Sequence, residues 1–134
     1  MEKFSLNKRL KSFTYACKGI GCLIRNEHNA WIHGVAVVAV VTAGLLFGIS
    51  RGEWIAVVLC YGMVLAAEAV NTAIEVLVDL VSPQPHPLAG KAKDIAAGAV
   101  LITAVTAAIV GCIVFLPYII GFTMHGDASL FTMY

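Results

Sequence analysis

Long apolar stretches dominate the chain, and two polar separators interrupt them. Apolar residues fill the ranges 30–49, 54–81 and 95–122, and the separators read SRGE at 50–53 and SPQPHPLAGKAKD at 82–94. Each stretch has the roughly 20 residues that a helix needs to cross the hydrocarbon core of a bilayer. A helix also satisfies its own backbone hydrogen bonds there. The pattern therefore predicts three transmembrane helices, at about 30–49, 54–81 and 95–122.

The N-terminal segment has a different pattern. On a helix at about 100° per residue, its apolar side chains fall within an arc of roughly 80°, and basic and polar side chains lie opposite. The apolar arc contains Leu6, Leu10, Phe13, Cys17, Ile20 and Ile24, and the opposite side contains Lys8, Lys11, Ser12, Tyr15, Lys18 and Arg25. Such a basic amphipathic helix suits a membrane surface, which predicts a surface helix at about 5–26. The alternative is a soluble helix packed on a partner domain.

The second separator contains three alternating prolines, Pro83, Pro85 and Pro87. Proline lacks a backbone N–H and disfavours helical backbone in the residue before it. The separator is therefore expected to be extended rather than helical, with the last span beginning after it.

Composition agrees with an integral membrane protein. Of the 134 residues, 60% are hydrophobic and 13% are charged, which is far from the balance of a soluble globular domain. The length suits one all-α domain over residues 1–134, and a net charge of +1 gives no case for nucleic acid as a partner. The four cysteines lack the spacing of a zinc site or a disulfide framework. We interpret them as small apolar fillers.

Basic residues are distributed unevenly between the predicted connections. Of the nine Lys and Arg residues, six precede the first span, two lie in the second separator and only Arg51 lies in the first. Positive charge favours the cytoplasmic side of a membrane. The N-terminal helix and the proline-rich separator are therefore predicted to face the cytoplasm, and the C-terminal tail the outside.

A polar stripe lies inside the second predicted span, in the sequence EAVNTAIEVLVD at 68–79. On a helix, Glu68, Asn71, Glu75 and Asp79 share one face, which is about 16 Å long. A carboxylate in the bilayer costs about 3 kcal/mol even on lenient insertion scales, so three acids on one face favour a functional role. The alternative is that they join helices by hydrogen bonds, with one or more of them protonated.

The stripe suggests a metal-dependent reaction. Its oxygen ligands suit Mg²⁺, which binds one or two carboxylates together with water and substrate phosphates. Lys91, Lys93 and the basic side of the surface helix are expected at the same cytoplasmic mouth. A metal, a phosphate donor and a deep carboxylate base together indicate phosphoryl transfer to an acceptor in the bilayer.

Two other functions stay open from the residues alone. One is a small proton- or cation-coupled transporter that uses the acids as a relay. It would need polar groups through the full depth of the bilayer, yet the outer half of the second span, WIAVVLCYGMVLAA, has none beyond Tyr61. The other is a structural subunit in which the carboxylates only fix the helix register.

The stripe also carries a resemblance to a known family. Together with HPLAGKAKDIAAGAVL at 86–101, it resembles the signature of the prokaryotic diacylglycerol kinase family. RLKSFTYACKGI at 9–20 and RNEHNAW at 25–31 extend the resemblance to roughly residues 8–120. It implies a homotrimeric bundle in the bacterial inner membrane, with three transmembrane helices and a surface helix per subunit, and active sites shared between subunits. It also implies transfer of the γ-phosphate of ATP to a lipid hydroxyl, with Mg²⁺ as cofactor.

The resemblance implies roles for individual residues. Glu68 would be the base that takes the proton from the lipid hydroxyl, and Asn71 would orient the cluster. Glu27 and Glu75 would hold the metal. Asp79 is not assigned by the resemblance, and we expect it to cap the polar stripe and hold the loop rather than touch substrate. The ATP contacts that it implies are Arg9 or Lys8, Tyr15, Glu27, Glu75, His86, Lys93 and Asp94.

The identity of the lipid has to be judged from residues outside this set. HPLAGKAKDIAAGAVL and VGCIVFLPYI look more like the branch of the family that includes undecaprenol kinases than like the diacylglycerol-specific branch. Undecaprenol is therefore the favoured acceptor, and diacylglycerol is the alternative.

Overall fold

Helices make up the described part of the chain, as the apolar pattern predicts. The computed structural model describes residues 6–26 and 28–128, and these residues form no strand. The chain falls into two compact units, Met1–Val38 and Ala39–Tyr134. The described residues form the helices α1 (Leu6–Asn26), α2 (His28–Phe47), α3 (Arg51–Val81) and α4 (Pro87–Ala128).

The first unit contains α1, whose bounds agree with those of the predicted surface helix to within one residue. Its apolar side chains Leu10, Phe13, Ile20 and Ile24 are all exposed. An exposed apolar stripe opposite basic side chains is typical of a helix that lies on a membrane surface. The structure thus has a helix at these residues, and its place on a membrane surface stays a prediction.

The connection between α2 and α3 is short and is specified by its own sequence. Gly48 has a φ of 63°, which glycine adopts without strain. The Ile49 N–H donates to the Gly44 carbonyl at 3.2 Å, as in a Schellman motif. Ser50 then caps α3, because its Oγ accepts from the Glu53 N–H at 3.3 Å and its own N–H donates to Glu53 Oε2 at 2.6 Å. This capping box starts α3 three residues before the predicted span.

Aromatic side chains pack around this connection. A Cβ at position 44 would lie 2.8 Å from the ring of Trp54, so glycine is needed there for the indole to approach the backbone of α2. The ring of Phe47 stacks on Tyr118, with centroids 5.9 Å apart, and lies 6.4 Å from Phe115. The end of α2 is therefore packed against residues of both α3 and α4.

Polar side chains link α3 and α4 into an antiparallel hairpin at both of its ends. Near the connection to α2, Tyr118 Oη donates to Glu53 Oε2 at 2.9 Å. At the other end, Lys93 Nζ donates to Asp79 Oδ1 at 2.5 Å. The two links are almost equally far apart along both helices, so the hairpin keeps one register between them.

The start of α4 contradicts the sequence prediction. Residues 82–86 are not helical, but α4 begins at Pro87, eight residues earlier than predicted. Proline at the first helical position loses no hydrogen bond, and its fixed φ suits the helix. His86 is the cap, since its Nδ1 accepts from the Leu88 N–H at 3.2 Å and its carbonyl accepts from the Gly90 N–H at 3.0 Å. The prediction of an extended separator was therefore wrong beyond residue 86.

Two of the described helices are long and apolar enough to cross a membrane. They are Arg51–Val81, with a mean hydropathy of 1.7, and Pro87–Thr123, with a mean hydropathy of 2.7. Their apolar windows are 11% and 6% buried, whereas the core helices of a soluble protein are mostly buried. A shorter apolar helical segment, Gly34–Phe47, lies inside the first predicted span. That first span and the homotrimer stay predictions.

The Tyr118 link can be tested by removing one hydroxyl group. We expect Tyr118→Phe to lower the unfolding temperature in detergent by a few degrees, because Glu53 loses a hydrogen bond that joins α3 to α4. Tyr61→Phe is the matched control, since the Tyr61 hydroxyl makes no hydrogen bond within the described residues. Equal unfolding temperatures for the two variants would contradict a role of Tyr118 in holding the hairpin.

Candidate functional site

Three polar residues of α3 lie on the side of the helix that is turned away from solvent. Glu68 is 5% exposed and, with Val64 one turn earlier, is one of the buried residues of α3. Asn71 and Glu75 are half-buried, and Asn71 Nδ2 donates to Glu75 Oε1 at 2.8 Å. Their spacing of four residues brings the two side chains together on a helix. Glu68, Asn71 and Glu75 thus share one face.

The amide oxygen of Asn71 is shielded from solvent and has no hydrogen-bond partner within the described part of the chain. The amide nitrogen of the same side chain is held by Glu75, so the direction of the oxygen is fixed. A buried polar atom without a partner is costly, and such an atom needs a donor or a cation. Carboxylate and amide oxygens are ligands that Mg²⁺ prefers, so these residues fit a magnesium ion.

Asp79 lies in a different environment from the other acids of α3. Its side chain is 67% exposed and forms an ion pair with Lys93, whose side chain is 37% exposed. Asp79 is in the last turns of α3 and Lys93 is in the second turn of α4. The pair therefore joins the two helices on either side of the non-helical segment 82–86.

A cavity of about 360 Å³ lies at this end of the hairpin. The Ser82 N–H donates to the Val78 carbonyl at 2.8 Å, and Ser82 Oγ donates to the Gln84 carbonyl at 3.0 Å. These bonds, with the His86 cap, order the chain around the cavity. Its lining residues are Val78, Asp79, Ser82, Pro83, Gln84, Pro85, His86, Ala89, Gly90 and Lys93.

His86 has one ring nitrogen occupied by its capping role. Because Nδ1 accepts the Leu88 N–H, a neutral His86 carries its proton on Nε2 and can donate from there. The side chain lines the cavity. It can therefore cap α4 and still offer a donor to a ligand in the cavity.

The remaining predicted site residues lie in several places. Arg9 and Tyr15 are exposed on α1, in the first unit, and Asp94 is exposed on α4 beside Lys93. Glu27 lies outside the described residues, as does the side chain of Lys8. Residues 6–26 and 28–128 contain no group of three or more His, Cys, Asp or Glu side chains placed to hold a metal ion. The predicted pairing of Glu27 with Glu75 therefore stays a prediction.

Two features of this end of the hairpin were not predicted. One is the ion pair between Asp79 and Lys93, and the other is the cap at His86. The sequence contains a signal for the ion pair, because Asp79 and Lys93 have opposite charges and flank the short proline-rich segment within two turns of each helix end. It was missed because an extended segment up to residue 94 would have left Lys93 outside a helix.

Comparisons with known proteins agree with these observations. The sequence model of a family described as prokaryotic diacylglycerol kinase matches residues 14–115. The chain is 45% identical over 112 residues to an undecaprenol kinase of Bacillus subtilis, covering 84% of this chain and 91% of that protein. It is 41% identical over 109 residues to a diacylglycerol kinase of Synechocystis, covering 81% of this chain and 62% of that protein. It is 32% identical over 104 residues to a diacylglycerol kinase of Escherichia coli, covering 78% and 85%.

The capping role of His86 predicts different results from two substitutions. His86→Ala removes the side-chain acceptor, so the amide of Leu88 should exchange its hydrogen roughly fivefold faster, in line with the loss of about 1 kcal/mol for a missing cap. His86→Asn keeps a side-chain acceptor, and asparagine is favoured at the N-cap position. In this variant the Leu88 amide should exchange its hydrogen at nearly the rate found in the unsubstituted protein. Hydrogen exchange in detergent measures both rates, and identical exchange in the alanine variant and the unsubstituted protein would contradict the cap.

Proposed function

The chain belongs to the prokaryotic diacylglycerol kinase family and is a lipid kinase, and we propose that it transfers the γ-phosphate of ATP to the hydroxyl of a membrane lipid, with Mg²⁺. The reaction takes place at the cytoplasmic face of the bacterial inner membrane. The observation that carries the proposal is the buried Glu68 beside the bonded pair of Asn71 and Glu75 on an apolar helix. A carboxylate in such a helix is energetically costly, so its presence there indicates a function.

Glu68 is the proposed general base. It accepts the proton of the lipid hydroxyl while the lipid oxygen forms a bond to the γ-phosphorus, and the bond from that phosphorus to the bridging oxygen of ADP breaks. Glu68 is buried, and the proposed lipid headgroup reaches it from the bilayer. Asn71 lies one turn away and orients the cluster through its bond to Glu75.

Glu75, together with Glu27, is the proposed ligand set for the metal. Mg²⁺ neutralises phosphate charge when it is bound. The amide oxygen of Asn71, buried and without a hydrogen-bond partner within the described residues, supports a cation near Glu75. Glu75 is half-buried and already oriented by the Asn71 amide, so little side-chain freedom is lost when a ligand arrives.

The nucleotide is proposed to bind at the cytoplasmic end of the hairpin. Lys93 and His86 line the cavity there and offer N–H donors to phosphate oxygens. Asp94 is exposed beside Lys93. Arg9, or its neighbour Lys8, and Tyr15 are proposed as further nucleotide contacts from the surface helix. An active site shared between subunits of a homotrimer would combine these groups.

The favoured acceptor is undecaprenol. The identity of 45% to an undecaprenol kinase, against 41% and 32% to two diacylglycerol kinases, supports this choice. Both lipids present a terminal hydroxyl at the membrane interface, so the same base serves either. The choice between them then depends on how the apolar surfaces of α3 and α4 accommodate the lipid chain.

Glu68→Gln tests the base directly. The amide has nearly the same size but accepts a proton poorly, so phosphorylation should fall by at least about 100-fold while MgATP binding is retained. Radiolabelled ATP in lipid vesicles measures the rate of phosphorylation, and calorimetry measures the binding of MgATP. Glu53→Gln, the same change at the far end of α3, should keep its activity. Loss of MgATP binding in Glu68→Gln would contradict the role of base.

A competition assay tests the acceptor. Vesicles that contain undecaprenol and diacylglycerol at equal mole fraction are incubated with the protein, Mg²⁺ and radiolabelled ATP. We expect undecaprenyl phosphate to form faster than phosphatidic acid. Faster labelling of diacylglycerol would reverse the assignment of the substrate, and labelling of neither lipid by folded protein would contradict the proposed function.

A further inference from the structure

The ion pair between Asp79 and Lys93 lies at the edge of the cavity that the proposed function assigns to nucleotide. We propose that Asp79 is a positioning residue: it holds the Lys93 ammonium group so that its remaining N–H donors point at the phosphate groups of the bound nucleotide. This inference rests on the proposed function. It gives Asp79 a role different from those proposed for Glu68 and Glu75, with which it shares a face of α3.

The geometry allows Lys93 to contact Asp79 and phosphate together. A lysine ammonium has three N–H donors and no acceptor, and one donor is used by Asp79 Oδ1. Both side chains line the cavity, so the two other donors are available on its side. Lysine has a flexible four-carbon stem, and a carboxylate at its end reduces the number of orientations that the ammonium group samples.

The surroundings of the pair are already ordered. The backbone of segment 82–86 is tied at Ser82 to the end of α3 and at His86 to the start of α4. The helices on either side are held in one register by the second link, between Glu53 and Tyr118. Only the orientation of the Lys93 side chain therefore remains to be fixed, and the contact with Asp79 fixes it.

A purely structural role explains the pair less well. Exposed ion pairs contribute little to folding, and both side chains of this pair are more than a third exposed. The helix termini beside the pair already have their own hydrogen bonds. In protein kinases, an ion pair between a lysine and a glutamate likewise has to be in place before the lysine engages ATP phosphates.

Asp79 is poorly placed both for the role of base and for the role of a metal ligand beside Glu75. Its carboxylate is neutralised by Lys93 and is exposed, so it is poorly suited to act as the base for a lipid hydroxyl buried in the membrane. It lies a full turn beyond Glu75 along α3, and its contact is directed across the hairpin to α4 rather than toward Asn71.

Asp79→Asn provides the main test. The amide keeps the size of the side chain but removes the charge that orients the ammonium group. We expect the KM for MgATP to rise about fivefold to tenfold, with kcat changed by less than about twofold, because the lost interaction acts in binding rather than in chemistry. The KM for lipid and the unfolding temperature should stay unchanged. Asp79→Glu should restore part of the affinity for MgATP.

Glu53→Gln is the matched control, because Glu53 links the same two helices at the opposite end of the hairpin. It should leave the KM for MgATP unchanged even where it lowers the unfolding temperature. Equal increases of this KM in the Glu53 and Asp79 variants would show that loss of the hairpin register explains both effects. That result would overturn the role of Asp79.

A double-variant cycle distinguishes positioning of Lys93 from a direct effect of the Asp79 charge. In a Lys93→Gln background, Asp79→Asn should cause no further loss of MgATP binding, measured by calorimetry, because it acts through Lys93. The proposal is overturned if Asp79→Asn has the same effect in both backgrounds, if it leaves the KM unchanged, or if it tightens MgATP binding. Failure of the unsubstituted protein to phosphorylate any lipid would instead contradict the proposed function.

Discussion

The register between α3 and α4 is the constraint on which the candidate site depends. In the described part of the chain the buried apolar residues are Ile49, Val64, Ala96 and Val114, each still 5–6% exposed, so apolar packing within one chain is sparse. Two smooth apolar helices can slide past each other at little cost under such conditions. The polar links through Glu53 and Asp79 act together with the hydrogen-bonded segment 82–86 to select one register, which no single link has to maintain.

This register explains why the acids of α3 lie in three environments although they share a helix face. Glu68 lies in the middle of the hairpin and is buried, and the pair of Asn71 and Glu75 is half-buried. Asp79 lies at the exposed end beside Lys93. Access to solvent therefore increases along the stripe toward segment 82–86. Acids that share one face of α3 thus differ in solvent exposure, which rises from Glu68 to Asp79.

Helix positions and the face on which a side chain lies could be predicted from the sequence, because both depend on local pattern. The apolar periods predicted helices whose bounds agree closely for α1 and at the end of α3. The shared face of Glu68, Asn71 and Glu75 follows from helical geometry alone. The start of α4 was missed because the rule against helix before proline was applied to every proline of the separator, although the last one, Pro87, opens a helix. The contact of Asp79 with Lys93 depends on that helix start and on the turn before it, so it could not be predicted once the start was misplaced.

The rise in solvent exposure from Glu68 to Asp79 also suits the two reactants of the proposed reaction. A lipid hydroxyl approaches from the apolar side and a nucleotide approaches from water, so their reactive groups have to meet between these environments. Glu68 and Asp79 are separated by about 16 Å along the helix axis, and Asn71 and Glu75 lie between them. A nucleotide with its base near segment 82–86 can extend along this face and place its terminal phosphate near Glu75. In the proposed arrangement the charged phosphates would remain near Lys93 and the proposed metal ligands, and only the transferred group would approach Glu68, the proposed base. Burial of Glu68 would serve the proposed reaction, because it would exclude the water that otherwise competes with the lipid for the phosphate.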